Sequence, residues 1–113
     1  MIRRAWAMQL KPGCEAAYKA AHDAIWPEML ALMQQSGVMR FDIFRHGLTL
    51  FAVQDRIGAP PDAPPDPVMR RWWAHMAPLM ETHPDNRPIQ TELDLMFRFD
   101  ASTKDKPHDH SQF

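Results

Sequence analysis

Apolar residues recur along this chain with two different spacings, and the order of those spacings limits the folds it can adopt. Residues 2–10, 38–46, 49–57 and 91–99 alternate apolar and other side chains, as strands with one buried face do. Helical spacing appears in residues 14–36 and again after residue 66. The predicted element order is therefore βαββαβ.

Prolines set the expected boundaries of the helices. Pro27 lacks a backbone N–H donor, so it predicts a kink in the first helical region or a second helix that starts there. Asp66-Pro67 combines an N-cap acceptor with proline at the first helical position and predicts another helix start. Pro78 predicts the end of that helix near Ala77. One apolar stripe is expected on it, formed by Met69, Trp72, Trp73, Met76 and Met80.

The element order is that of the ferredoxin-like split βαβ motif, an α+β fold with a four-stranded antiparallel sheet and helices on one face. In the last strand, four side chains are expected to face inward: Leu93, Leu95, Phe97 and Phe99. Four aromatic residues in the other strands do not all fit under two helices: Trp6, Phe41, Phe44 and Phe51. The second sheet face therefore needs a cover, which a second copy of the chain would supply. We expect a homodimer that forms a dimeric α+β barrel. A small site would lie inside the cup of the sheet.

Residues 1–99 are expected to form the single domain, and the polar residues 100–113 a disordered tail. The formal net charge is −1, which gives no support for nucleic acid or an anionic membrane as a partner. The sequence contains no stretch of about 18 apolar residues, so no membrane span is predicted. Cys14 is the single cysteine, so no intrachain disulfide can form, and a reducing cytoplasm fits best.

Two pairs of residues could carry chemistry. Tyr18 and His22 are four residues apart and share a helix face; histidine can transfer a proton, and tyrosine offers a hydroxyl. From spacing alone, such a pair is more often a packing contact. Trp72 and Trp73 could form a flat apolar wall for a sugar ring, although at least one of them is expected in the core.

Other chemical signals are weak. A lone cysteine at a predicted helix start, such as Cys14, is more often a small apolar residue than a nucleophile. His108 and His110 lie two apart in the tail and predict solvated side chains rather than a metal site. The four glycines are scattered, so no phosphate-binding loop is present. No metal or cofactor is therefore predicted.

Several sequence blocks together resemble the L-rhamnose mutarotase family, over residues 1 to about 99. The most specific are Ile25-Trp26-Pro27-Glu28 and Arg71-Trp72-Trp73, in that order and spacing. The other matching blocks are Met1-Ile2-Arg3-Arg4-Ala5, Met8-Gln9, Tyr18, His22, Pro84-Asp85-Asn86 and Glu92-Leu93. The resemblance implies a cytoplasmic, ferredoxin-like α+β dimer that interconverts the α and β anomers of L-rhamnose.

The resemblance also implies roles for individual residues. His22 falls on the family's proton-donating histidine, Tyr18 on a substrate-binding tyrosine, and Trp72 and Trp73 on its stacking tryptophans. Phe41 falls on another substrate-contacting tyrosine, so here the ring is kept and the hydroxyl is lost, which leaves the preferred sugar open. Residues 59–66, rich in proline, replace a helical stretch usual in the family and are expected to shape the rim of the pocket.

Two alternatives stay open beside a mutarotase for L-rhamnose or a related deoxy sugar. One is a cofactor-free monooxygenase or isomerase of an aromatic substrate on the same fold, because Phe41, Met8 and the methionine-rich helix make the pocket apolar. The other is a sugar-binding or structural dimer without catalysis.

Overall fold

A computed structural model describes residues 1–101 of the chain as a four-stranded antiparallel sheet packed against three α-helices. The strands are β1 (Ile2–Gln9), β2 (Val38–His46), β3 (Thr49–Arg56) and β4 (Thr91–Glu92). The helices are α1 (Glu15–Asp23), α2 (Pro27–Gln35) and α3 (Pro67–Met76), and a short 3-10 helix, Ala77–Leu79, follows α3. The predicted α+β class and four-stranded antiparallel sheet are confirmed. The expected tail lies almost wholly outside the described residues.

The sheet order is β2-β3-β1-β4, so β3 lies between β1 and β2 as in a split βαβ unit. β2 and β3 form the predicted hairpin, in which His46 pairs with Thr49 across a two-residue turn. Gly47 supplies the positive φ of 61° that this turn requires. The register pairs Trp6 with Ala52, and so decides which strand side chains share a face.

The prolines act as the sequence predicts. Pro27 occupies the first position of α2, and Trp26 before it is extended, with ψ of 138°. Asp66 caps α3, because its side chain accepts a hydrogen bond from the Val68 backbone N–H at 2.8 Å. α3 ends at Met76, just before Pro78.

The core lies between the helices and one face of the sheet, here called the inner face. The sheet side of the core consists of Trp6, Met8, Leu10, Leu50 and Ala52. The helix side consists of Tyr18, Met29, Trp72, Met76 and, after the 3-10 helix, Met80. Phe44 and Phe51 pair with each other on the opposite, outer face. Among residues 1–101, no helix is long and apolar enough to cross a membrane.

The prediction for the last strand is wrong beyond its first residues. β4 covers only Thr91–Glu92, and the Leu93 N–H still donates to the Ala5 carbonyl at 2.9 Å before the chain leaves the sheet. The four side chains expected to face inward are exposed: Leu93 by 41%, Leu95 by 63%, Phe97 by 82% and Phe99 by 60%. Alternation reports that one face of a segment seeks burial, but it does not say that the same chain supplies the cover.

Candidate active site

A cavity of about 580 Å³ opens between the inner face of the sheet and the helices. This volume lies within the range of about 300–1,000 Å³ that is usual for small-molecule sites. All five residues that the sequence singles out contribute to its walls: Tyr18, His22, Phe41, Trp72 and Trp73. They come from α1, β2 and α3, so the tertiary fold brings the separate sequence signals into one site.

His22 is the one titratable imidazole in the cavity wall among residues 1–101. Its Nδ1 lies 3.1 Å from the backbone carbonyl oxygen of Tyr18. A carbonyl oxygen only accepts, so Nδ1 carries the proton and donates it, and Nε2 keeps its lone pair. Burial lowers the pKa of His22 below 6.5, while the Tyr18 carbonyl and the charge of Asp23 act in the opposite direction. Near neutral pH, His22 is therefore mainly a neutral base.

Tyr18 packs beside His22, with ring centroids 4.3 Å apart. Burial raises the pKa of its phenol to about 12, so the hydroxyl keeps its proton at physiological pH. Within residues 1–101 this hydroxyl has no hydrogen-bond partner. A ligand oxygen in the cavity could satisfy it, which suits a polyhydroxylated ligand.

Trp72 forms an aromatic wall against His22. The centroids of these two rings lie 5.4 Å apart in an edge-to-face contact, and Trp26 makes a second edge-to-face contact with Trp72 at 5.1 Å. Trp72 is buried and belongs to the core, whereas the neighbouring Trp73 is half-buried. Both line the cavity, so packing and site wall are not exclusive roles here.

Phe41 and Trp6 form the aromatic part of the cavity floor on the inner face of the sheet. Their ring centroids lie 5.6 Å apart, and the Arg4 guanidinium carbon lies 4.5 Å from the centre of the Trp6 ring. The Trp6 Nε1 atom is buried without a hydrogen-bond partner in the described part of the chain. This floor presents flat apolar surface, as the C–H face of a sugar requires.

Sequence reasoning missed several polar residues in the cavity wall, and those on the strands are Arg4, Gln54 and Arg56. Gln54 and Arg56 are 8% and 5% exposed. The available signal was parity, because both share the alternation of the buried Leu50 and Ala52 along β3. A polar side chain at an inward position is uncommon and marks a structural bond network or a ligand contact.

The proline-rich segment contributes to the rim of the cavity. Its lining residues are Pro60, Pro61, Ala63, Pro64, Pro65 and Asp66, all of them exposed. On another part of the wall lie Arg87, Pro88 and Gln90 from the loop before β4. Each proline fixes its own φ, so this rim is stiffer than a glycine-rich loop would be.

The described residues contain no group of three or more His, Cys, Asp or Glu placed to hold a metal ion. His108 and His110 lie outside the described residues. Cys14 is not among the cavity-lining residues, and its Sγ lies 3.9 Å from the Pro12 carbonyl oxygen. The chemistry of the cavity therefore rests on the imidazole, the phenol and the amide and guanidinium groups in its wall.

Comparisons with known proteins point to one family. Residues 3–99 match the family model described as L-rhamnose mutarotase. An L-rhamnose mutarotase of Jannaschia sp. is 50% identical over 101 residues, covering 86% of this chain and 97% of the relative. One from Rhizobium leguminosarum bv. trifolii is 46% identical over 102 residues, covering 84% and 93%. The crystal structure of L-rhamnose mutarotase from Formosa agariphila superposes with a TM-score of 0.83 at 35% identity, covering 88% of this chain and all of that one.

Proposed function

The chain belongs to the L-rhamnose mutarotase family, and we propose that it interconverts the α and β anomers of L-rhamnose with His22 as the proton-transfer group. The observation that carries the role of His22 is its position in the cavity wall with Nδ1 3.1 Å from the Tyr18 carbonyl oxygen, a contact that leaves Nε2 for a ligand. The same cavity offers aromatic faces and a free phenol hydroxyl for a sugar.

Mutarotation opens a cyclic hemiacetal and closes it on the other face of the carbonyl. In opening, the anomeric hydroxyl loses its proton, the bond between the anomeric carbon and the ring oxygen breaks, and the ring oxygen gains a proton. Closure reverses these steps after the carbonyl has turned its other face. No oxidation state changes and no group leaves, so acid–base side chains are sufficient and no cofactor is needed.

His22 can serve both proton transfers in succession. Neutral Nε2 accepts the proton of the anomeric hydroxyl, and the resulting imidazolium donates that proton to the ring oxygen. The two oxygens are bonded to the same carbon, so a small displacement of the sugar suffices between the steps. Nδ1 keeps its proton throughout and donates a hydrogen bond to the Tyr18 carbonyl oxygen, which holds the imidazole in one orientation.

The other four site residues hold the sugar in this proposal. Tyr18 donates its hydroxyl to a sugar oxygen, since burial keeps it protonated. Trp72, Trp73 and Phe41 present ring faces to the C–H face of the pyranose. Phe41 has no hydroxyl, so the hydrogen bond that a tyrosine would give there must come from another group or be absent.

The proposed assembly is a homodimer in which a second copy covers the outer face and forms a dimeric α+β barrel. Phe44 on that face is 61% exposed, and several apolar side chains after β4 are exposed as well, among them Leu95 and Phe97. Light scattering should give about twice the 13.1 kDa chain mass, and Phe44→Lys should lower it. A monomer at micromolar concentration would refute the dimer.

We propose that the protein is located in the cytoplasm, because Cys14 cannot form an intrachain disulfide.

The comparisons do not support the alternative of a cofactor-free monooxygenase, since the relatives reported above are L-rhamnose mutarotases. Saturation-transfer NMR of L-rhamnose tests the proposal directly, because it measures anomer exchange at equilibrium. The protein should accelerate the exchange, and His22→Ala should abolish most of the acceleration. Binding of the sugar without acceleration by the unaltered chain would instead make it a sugar-binding dimer.

A further inference from the structure

The inner face of β3 carries two buried polar side chains where the strand pattern calls for apolar ones. Gln54 is 8% exposed and Arg56 is 5% exposed, and both lie in the cavity wall. Burying such groups costs free energy unless they are hydrogen-bonded or meet a ligand. The hydrogen bonds of Gln54 and Arg56 therefore show which of these two side chains has a polar group left for a ligand.

All three nitrogens of the Arg56 guanidinium are engaged. Nη2 donates to the Ser36 carbonyl at 2.6 Å, Nε to the Gly58 carbonyl at 3.2 Å, and Nη1 to the Gln54 side-chain oxygen at 3.3 Å. Arg56 thus ties the end of β3 to the end of α2 and to the start of the proline-rich segment. Its role is structural, and it holds the Gln54 amide in place.

The contact with Arg56 fixes the orientation of the Gln54 amide. A guanidinium only donates, so Gln54 must turn its Oε1 toward Arg56 and its Nε2 away from it. Within residues 1–101, Nε2 has no hydrogen-bond partner. The amide in the cavity wall therefore presents a donor of fixed orientation that has no partner among these residues.

The neighbours of Gln54 cannot use this donor. Across β2 it faces Phe41, whose ring has no acceptor oxygen. Across β1 it faces Arg4, which only donates and whose Nη2 is bonded to Glu92 at 2.8 Å. An acceptor for this donor must therefore come from outside the described residues, as the oxygen of a ligand in the cavity would.

We propose that Gln54 is a substrate-binding, specificity-determining residue whose Nε2 donates a hydrogen bond to a non-anomeric hydroxyl oxygen of the sugar. The proposal rests on the proposed function and adds the donor that the sheet floor offers beside the apolar Phe41. A hydroxyl that does not react keeps the same configuration in both anomers, so one fixed donor can hold it throughout the reaction. The contact is then made equally in the ground state and the transition state.

The test compares Gln54→Met, which keeps the side-chain length and removes the donor, with the unaltered chain. KM for L-rhamnose should rise about fivefold to tenfold with kcat within about twofold, as expected for one lost neutral hydrogen bond made in both states. Gln34→Glu on the exposed face of α2 is a substitution control and should change neither value. Gln54→Glu keeps the acceptor for Arg56 and serves if Gln54→Met fails to fold.

A set of L-rhamnose derivatives, each with one non-anomeric hydroxyl replaced by hydrogen, gives the sharper readout. The unaltered chain should bind one of them about fivefold to tenfold more weakly than L-rhamnose, and Gln54→Met should bind that one derivative and L-rhamnose alike. Each of the other derivatives should bind Gln54→Met more weakly than it binds the unaltered chain. Equal loss for every sugar, or none, would overturn the role of Gln54.

The same measurements separate the two proposals. Titration calorimetry reports sugar binding even without anomer exchange. Binding that depends on Gln54 without acceleration refutes the mutarotase activity and retains the donor. Acceleration that is unchanged in the Gln54 variants retains the mutarotase activity and refutes the donor role of Gln54. Absence of both sugar binding and anomer exchange refutes both proposals.

Discussion

The Nδ1 nitrogen of His22 lies 3.1 Å from the backbone carbonyl oxygen of Tyr18, one helical turn earlier. This contact commits one imidazole nitrogen to the helix backbone and leaves Nε2 for a ligand. Spacing places the two residues on one face of α1, and the hydrogen bond decides which tautomer faces the cavity.

Removing the imidazole should remove the proton transfer. His22→Ala is expected to lower kcat for anomer exchange roughly 10²–10⁴-fold, the usual contribution of a positioned acid–base group. Saturation-transfer NMR gives the rate. His46→Ala, on an exposed part of β2 outside the cavity wall, is the matched control and should keep full activity. Equal rates in His22→Ala and the unaltered chain would exclude His22 as the proton carrier.

The pH dependence should show that the neutral imidazole is the active form. Burial lowers the pKa of His22 below 6.5, and only the unprotonated Nε2 can accept the proton of the anomeric hydroxyl. The exchange rate, corrected for the uncatalysed reaction, should therefore rise with pH through that lowered pKa and be level near pH 7. A rate that instead falls as the pH rises through this range would assign the imidazolium as the starting form.

Tyr18→Phe removes one hydroxyl and keeps the buried ring. Since the hydroxyl has no partner among residues 1–101, the fold should lose little stability, whereas KM for L-rhamnose should rise about fivefold to tenfold. No ionisation step of Tyr18 is expected below about pH 11, because its pKa is raised to about 12. A large fall in melting temperature with unchanged KM would show a structural role instead.

Arg56→Leu should destabilise the fold, because it leaves three buried or half-buried acceptors without their donor: the Ser36 and Gly58 carbonyls and the Gln54 side-chain oxygen. The free energy of unfolding should fall by about 2–4 kcal/mol, on the scale of buried hydrogen bonds to a charged group. Urea titration measures it. Arg45→Leu removes an exposed arginine that bonds the Gly47 carbonyl and should cost far less. Equal losses in the two variants would contradict the structural role of the three Arg56 hydrogen bonds.

Phe41→Tyr adds a phenol hydroxyl to the cavity floor opposite Gln54. We expect the variant to remain active and to bind L-rhamnose about threefold to tenfold more tightly, through one added hydrogen bond. In the Gln54→Met background the gain should be larger, because the floor then has no other amide donor. Weaker binding in both backgrounds would show that the cavity is shaped for a ring without a hydroxyl.

Local pattern was sufficient for most of the fold. Pro27 and Pro67 fix helix starts because proline constrains its own φ and the residue before it, which are effects that need no tertiary partner. Period-two alternation located β1, β2 and β3, because alternation is also a local property of the sequence. It failed in residues 93–99, where the exposed Leu95 and Phe97 show an apolar face without cover from the described part of this chain.

The site divides in the same way. Helical geometry is local, so spacing alone predicts that Tyr18 and His22 share a helix face and that Trp72 and Trp73 lie on another helix. Tertiary packing encloses one cavity between these helices and the sheet, and the β2–β3 register sets Gln54 across from Phe41 while Arg56 fixes the orientation of its amide. Contacts between residues far apart in sequence depend on strand register and packing, which no local repeat encodes.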